Sequence, residues 1–327
     1  MKLENTQKVQ ILTVTEDRAG QRIDNLLLGL LKGVPKTHIY RLLRKGEVRV
    51  NKGRIKADYR LVAGDLLRLP PLRLDETDKP AVNATLNHVQ KLDTTILELA
   101  KEWLVINKPT GYAVHGGSGL SFGVVEGLRA LHPEWHYLEL VHRIDRETSG
   151  ILLMARKRSA LRQLHEQLRE HKMSKKYLCL VHGDWPDDLY KVSAPLFKSS
   201  GRGGERIMIV SQSGQESLTK FKVIARYGHS TLLQAEPVTG RTHQIRVHCQ
   251  HAGFPIVGDP KYLPSLYLQE QEQKWQVNRL MLHAAKLKFV LNEITHQVRA
   301  PLDKEFNRLL NTLGYPPELI EHYLGLD

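Results

Sequence analysis

Between residues 20 and 73 the apolar positions follow first a helical and then a strand period. Ile23, Leu26, Leu27 and Leu30 share one helical stripe, and Ile39, Leu42 and Leu43 open a second helix that Gly46 ends. Past Gly46 the period shortens to two at Val48 and Val50. Asn51-Lys52-Gly53 forms a turn, a short strand returns over 66–69, and Pro70-Pro71 stops it. Two small helices leading into a hairpin region describe a small α/β domain over 20–73. The lead of residues 1–19 has one strand-like piece, 9–15, whose alternation is too weak to carry a function.

Residues 74–95 mix charge, proline and small polar residues without a period, which is linker composition. From Ile96 onward short apolar strands recur at 103–106, 151–155, 177–181, 221–225, 231–235 and 287–290. Among them lies a helical pattern over 159–169, with Leu161, Leu164, His165 and Leu168 on one face. Strands dominate and helices fall irregularly among them. The expected fold is therefore α+β: a domain over 96–327 with a mixed, largely antiparallel central sheet flanked by helices, preceded by the small N-terminal domain.

Composition adds a partner to this picture. The 327 residues carry a net charge of +13. Residues 18–73 hold fourteen Lys or Arg against four Asp or Glu, so that segment supplies ten of the thirteen surplus charges. Lys36, Arg41, Arg44, Lys45, Arg49, Lys52 and Arg54 cluster around the second helix and the hairpin. A surplus this concentrated points to phosphate, and so to nucleic acid, rather than to a merely solvated helix face. The longest apolar stretches are far too short to span a bilayer. No apolar signal core opens the chain, and the cysteines are Cys179 and Cys249 alone, which together imply a reducing, cytoplasmic setting.

The candidate chemistry sits in HRIDRETSG, residues 142–150. Asp145 lies between Arg143 and Arg146, just ahead of an expected tight turn at Ser149-Gly150 into an apolar strand. Neighbouring guanidinium charge favours the ionised carboxylate and aims it, so Asp145 is the candidate catalytic group; a structural ion pair is the plainer reading of such a motif taken alone.

Context decides between them. HRIDRETSG, with KPTGYAVHGG (108–117) upstream and GRTHQIRVH (240–248) downstream, closely resembles the Rlu-type (RluA family) pseudouridine synthases. The likeness continues through Lys176-Tyr177, Gly258-Asp259 and RLMLHA (279–284), covering nearly all of 96–300. Residues 20–73 resemble the small RNA-binding module first seen in ribosomal protein S-four. Departures from the family pattern are Ile144 and Glu147, where Leu and Asp are commoner, and Ile245, where Leu is.

The resemblance implies isomerisation of uridines in large-subunit (23S) ribosomal RNA to pseudouridine, without a cofactor. The glycosidic bond breaks, the uracil rotates while held, and a carbon–carbon bond to the ribose replaces it. Asp145 would attack the anomeric carbon or abstract a sugar proton; the motif leaves both open. It further implies that Arg246 pairs with Asp145, against the alternative of an ordinary strand arginine facing phosphate. Tyr177 would stack on the base and help remove the final ring proton, Leu282 would wall the pocket, and Arg143 would fill the gap left by an extruded base. Lys36, Arg41, Arg44 and Lys45 would hold RNA, with the enzyme expected to be a monomer away from membranes.

Other features carry less. His248, Cys249 and His251 lack the spacing of a zinc site and read as structural, so no metal is expected. The glycines at 116, 117 and 119 lack the lysine of a phosphate-binding loop, and 201–204 reads as a flexible basic loop. A ribosome-assembly factor that had lost the reaction would have lost the acid motif, which is present. A nuclease would need carboxylate clusters for magnesium, and none is evident.

Overall fold

A computed structural model describes residues 9–31, 34–71, 83–116, 122–200, 206–264, 267 and 275–325; positions 117–119 and 201–204 of the glycine-rich loops lie outside these described residues. The chain divides into two units, 1–81 and 82–327.

In the first unit, β1 (Gln10–Thr13), α1 (Ile23–Leu30), α2 (Lys36–Lys45), β2 (Arg49–Val50), β3 (Gly53–Arg54) and β4 (Leu66–Leu69) follow one another. The four strands form an antiparallel sheet in the order β1-β4-β2-β3. Ile23, Leu26, Leu27, Ile39, Leu42 and Leu43 from the helices meet Val48, Val50, Leu67 and Leu69 in one core. The expected period thus marks the buried faces. Gly46 closes α2 in the left-handed conformation (φ 71°), its N–H reaching the Leu42 and Leu43 carbonyls. Asn51 and Lys52, both at positive φ (49° and 68°), make the tight turn between β2 and β3. The weakly alternating piece near the N-terminus is β1, held by pairing with β4 rather than by a pattern of its own.

The second unit is built on a ten-stranded sheet. Its path runs β10 (Lys191–Ser193), β13 (Leu218–Tyr227), β14 (Ser230–Pro237), β9 (Ser174–His182), β15 (Leu282–Leu291), β8 (Ser149–Ala155), β6 (Trp103–Lys108) and β5 (Ile96–Leu99), with β16 (Ile294–Arg299) on β15 and β7 (Glu139–Leu140) on β8. All pairings are antiparallel except the short parallel one between β15 and β8. The sheet is mixed and largely antiparallel, as the strand-rich pattern predicts. β8 is buried along its whole length, so both of its faces are covered. α3 (Asn87–Gln90) packs on α4 (Val124–Leu131), α5 (Arg158–Arg169) packs on β8 and β15, and α6 (Gln244–His251) packs on β13 and β14.

A separate hairpin, β11 (Leu196–Ser200) and β12 (Arg206–Val210), anchors Leu196, Met208 and Val210 against Val247 of α6 and Tyr262. Two helices, Lys304–Thr312 and Pro317–Leu324, end the chain. The stretch 74–95 carries structure towards its end: 87–90 and 93–95 form helical turns, and Leu92 belongs to the second unit's core. Its polar composition conceals the buried Val89 and Leu92.

Candidate active site

Asp145 stands in the loop between β7 and β8. The Thr148 N–H donates to the Asp145 carbonyl at 3.2 Å, so the turn falls at 145–148, and Ser149 and Gly150 already belong to the strand. The arginines beside Asp145 in sequence do not pair with it. Arg146 donates through Nε to the Gly111 carbonyl at 3.0 Å, and Arg143 is exposed on the wall of the adjoining cavity. The counter-charge comes instead from Arg246, whose Nη1 lies 3.4 Å from Asp145 Oδ2.

Arg246 lies on α6, a helix, not on the strand that the alternative reading of GRTHQIRVH assumed. Its side chain is wholly buried. Nε and Nη2 hold Asp259 in a two-point grip at 2.8 and 2.7 Å, and Asp259 Oδ1 also accepts the Lys261 and Tyr262 backbone N–H groups at 2.9 and 3.1 Å. The guanidinium also lies 5.1 Å from the centroid of the Tyr262 ring. Burial works against the charge, but the Asp259 hydrogen bonds and the nearby Asp259, Asp145 and Glu147 carboxylates outweigh it and hold the pKa above the ordinary arginine value. Two arms of the fork are thereby fixed on Asp259 and the remaining one is free for Asp145, a division that a lysine ammonium cannot reproduce. Glu147, a departure from the family pattern, still brings a carboxylate oxygen to 3.8 Å from Arg246.

Asp145 lines a cavity of about 910 Å³, together with Tyr177, Leu282, Arg246 and Arg143. Tyr177 on β9 and Leu282 on β15 reach it from the sheet. Leu282 pairs with Cys179 and Ala284 with Tyr177, so Tyr177 and Leu282 are diagonal neighbours on one face. Both are nearly buried, at 8% and 3% exposure, and form a flat apolar wall. Burial pushes the Tyr177 phenol well above its ordinary pKa, and the Asp145 charge adds to this. The phenol is therefore neutral at physiological pH. Positive side chains, among them Arg143, Lys175, Lys198, Arg241 and Lys261, line the same cavity, a lining suited to phosphate.

Two networks behind the cavity escaped the sequence reading. Lys108, at 0% exposure, donates its ammonium protons to the carbonyls of Pro109, Tyr112 and Arg146 at 2.8, 2.9 and 3.0 Å. It ties the 109–112 loop to the loop carrying Asp145. Burial pulls its pKa down to about 7, with Glu147 and Asp145 opposing. On the other side, Arg279 Nη2 donates to Ser149 Oγ at 3.0 Å, and His283 Nδ1 lies 2.8 Å from that hydroxyl, while His283 Nε2 faces the Ala300 carbonyl at 3.1 Å. Both Lys108 and Arg279 open motifs quoted above. The motif marked the residues, but nothing in their one-dimensional pattern marks a buried cation.

Lys36, Arg41, Arg44 and Lys45 lie in the first unit, exposed on α2. His248 is occupied within the fold, with Nδ1 2.9 Å from Thr219 Oγ1 and Nε2 2.8 Å from Ser217 Oγ. Among the described residues no group of three or more His, Cys, Asp or Glu is arranged to hold a metal. Nor is any helix among them long and apolar enough to cross a membrane.

A family model for RNA pseudouridylate synthase matches residues 102–251, and an S4 domain model matches 21–67. The chain is 54% identical over 309 residues to the ribosomal large subunit pseudouridine synthase C of Pasteurella multocida, covering 94% of each chain. It is 56% identical over 312 residues to the protein of that name from Escherichia coli K12, covering 94% of this chain and 98% of the relative. Among solved structures, human RNA pseudouridylate synthase domain containing 4 superposes with a TM-score of 0.57 at 26% identity, over 69% of this chain and 95% of that one. Human RNA pseudouridylate synthase domain containing 1 shares the fold at 24% identity, with a TM-score of 0.56 over 71% of this chain and 95% of its own. With relatives this similar along almost its whole length, and with an acid, a guanidinium and a phenol meeting at one basic cavity, the chain belongs to the RNA pseudouridylate synthase family.

Proposed function

We propose that this protein converts specific uridines of large-subunit ribosomal RNA to pseudouridine, in the cytoplasm and as a monomer, with Asp145 as the reacting carboxylate. The observation that carries the reading is the meeting of Asp145 and the buried Arg246 at a 910 Å³ cavity walled by Tyr177 and Leu282. The relatives' names supply the substrate class. The first unit's exposed cations anchor RNA, and the cavity receives the target nucleotide after it leaves its stack.

A carboxylate suits the task because breaking the bond between ribose C1′ and uracil N1 develops positive charge on the sugar and negative charge on the base. Asp145 meets the first at close range. Held against Tyr177 and Leu282, the uracil turns in place and bonds to C1′ through C5. C5 then loses a proton and N1 gains one, so the product is an isomer and no redox partner is consumed. The raised pKa of Tyr177 favours the neutral phenol, which supports packing on the base more than acceptance of a proton. Arg143, exposed and lining the same cavity, is the residue assigned to the space the extruded base vacates.

The test is a map of pseudouridines across ribosomal RNA from cells with and without this protein, repeated with Asp145→Asn. Sites that disappear with the gene, and stay absent with Asp145→Asn, are the expected outcome. Full modification by Asp145→Asn would overturn the assignment of the carboxylate.

A further inference from the structure

The polar contacts around Asp145 are one-sided. Arg246 Nη1 at 3.4 Å and His243 Nε2 at 3.9 Å both converge on Oδ2, whereas Oδ1 has no partner among the described residues. His243 is an unusual residue for its place. It is the N-cap of α6, yet its side chain makes no capping bond to the helix, and its backbone is left-handed (φ 53°, ψ 19°). N-cap positions favour a short polar side chain on extended backbone, and a β-substituted residue in the left-handed region is strained. Such strain persists where the surroundings enforce it, frequently at functional sites.

The enforcement is visible. Gln244 accepts from Thr239 Oγ1 at 2.7 Å and the Arg241 N–H at 3.0 Å, and donates to the Leu218 carbonyl and Thr219 Oγ1, both at 3.0 Å, which pins the 239–244 loop. Beyond it, Tyr262 Oη accepts the Met208 backbone N–H at 2.9 Å and lies 2.7 Å from His243 Nδ1. With that backbone donor already pointed at it, Oη is best satisfied by sending its single proton to Nδ1. Nδ1 is then the acceptor of the imidazole and Nε2 carries the N–H, facing Asp145.

We infer that His243 is a positioning residue: its Nε2–H, fixed in that tautomer by Tyr262, joins Arg246 in holding Oδ2 of Asp145 and leaves Oδ1 as the oxygen that meets the ribose. The inference rests on the proposed role of Asp145. A separation of 3.9 Å is long for a hydrogen bond, and such contacts commonly tighten when substrate closes the site. The charged and titratable groups facing the imidazole are Asp145 and Asp259 on one side of the balance and Arg246 and Lys261 on the other, with the Tyr262 phenol behind it. Burial, the first influence on the ring, lowers its pKa and keeps it a neutral donor. The hairpin strand β12 supplies Met208, so the tautomer depends on that hairpin being docked on Tyr262.

The experiment is single-turnover conversion of a large-subunit ribosomal RNA transcript, with Kd for that RNA measured in parallel. His243→Leu, which removes the donor, should slow turnover about 30-fold with Kd within about twofold, the size of losing one hydrogen bond to a charged group. His243→Gln, whose amide can donate, should recover to within about fivefold of the parent. Tyr262→Phe frees the imidazole to place its proton on Nδ1 and turn a lone pair towards Oδ2. Tyr262→Phe should therefore slow turnover about 10-fold, again with Kd within about twofold.

His243→Leu at parental rate, or His243→Gln no faster than His243→Leu with Tyr262→Phe at parental rate, would overturn the inference. Should His243→Leu fail to fold, the turnover of Tyr262→Phe at saturating RNA decides alone. Asp145→Asn separates the two levels: activity in that variant defeats the role of Asp145, whereas an inactive Asp145→Asn beside unaffected His243 variants defeats the inference only.

Discussion

The two units use positive charge in opposite ways. In the first, Lys36, Arg41, Arg44 and Lys45 stand exposed on α2. In the second, Lys108, Arg246 and Arg279 are buried and bonded to named partners: three carbonyls, two aspartates, and a hydroxyl with Asp303. An exposed cation is solvated and screened, so it contributes affinity that salt weakens and tolerates displacement of an ångström. A buried cation has no water to fall back on, so losing a partner is expensive, and its geometry is correspondingly fixed. On the proposed function, binding is spread over a surface in one unit, and chemistry is held at a point in the other.

The same substitution placed behind each cluster sharpens the contrast, and the second unit is where it should do most damage. Gly150 has φ 103°, and a Cβ there would come within 2.3 Å of the Ala284 carbonyl oxygen and 2.6 Å of its nitrogen, at the parallel pairing of β8 with β15. Backbone cannot swing aside as a side chain can. Gly150→Ala should destabilise the unit by about 4 kcal/mol or more, combining overpacking with backbone strain, and displace the Asp145 loop immediately before it. Thermal unfolding and turnover should both collapse; a melting temperature within a few degrees of the parent would show that this sheet yields where its close approach says it cannot.

Lys108→Met is next. It removes the donor from three carbonyls at once, at about 3 kcal/mol. The pH dependence has a definite sign. The folded amine, near 7, holds its proton less tightly than the exposed amine of the unfolded chain at 10.5. Unfolding therefore takes up a proton between those values, and this group makes the protein more stable as pH rises from about 7 towards 10. Melting curves of the parent and of Lys108→Met across that window should converge at the acid end and diverge at the alkaline end. A constant gap would show that the amine stays charged throughout.

These differences also explain what the sequence makes legible. Helices α1 and α2 bury one stripe and solvate the other, so period and charge surplus are both plain in the one-dimensional pattern. The strands of the large sheet show through their apolar centres, although several, such as Leu218–Tyr227 and Leu282–Leu291, run well beyond the stretch that the pattern marks. Helix α6 shows nothing of the kind: Gln244, Ile245, Arg246, Val247, His248 and Cys249 are all buried, which leaves no polar face to mark a period, and β-branched Ile245 and Val247 suit a strand. Asp145 and Arg246 are legible as motif residues. That Arg246, and not Arg143 or Arg146, supplies the charge depends on a contact across 101 positions, which local reading cannot supply.

In the first unit the effects should be smaller and of another kind. Arg41→Ser with Arg44→Ser removes two exposed cations and should leave the melting temperature nearly unchanged. RNA affinity at physiological salt should fall by about tenfold, and the slope of log affinity against log salt should flatten by about 1.5. Single-turnover rate at saturating RNA should match the parent. A loss of rate at saturation would mean that these residues act on the bound state and not on capture.

Gly46→Ala should do least. The residue caps α2 at φ 71°, and a Cβ would sit 2.7 Å from Arg54 Nε and 2.9 Å from its Cγ. Those atoms belong to a flexible, exposed side chain that can move, unlike the Ala284 backbone that faces Gly150. What remains is the strain of a left-handed alanine, about 1 kcal/mol. Displaced Arg54 is one exposed cation among several on that face, so RNA affinity should drop by no more than about twofold. Calorimetric melting and a salt titration of RNA binding read these quantities separately. If Gly46→Ala proved as damaging as Gly150→Ala, a close contact made by an exposed arginine would count for as much as one made by buried backbone, and the contrast between the units would fail at its foundation.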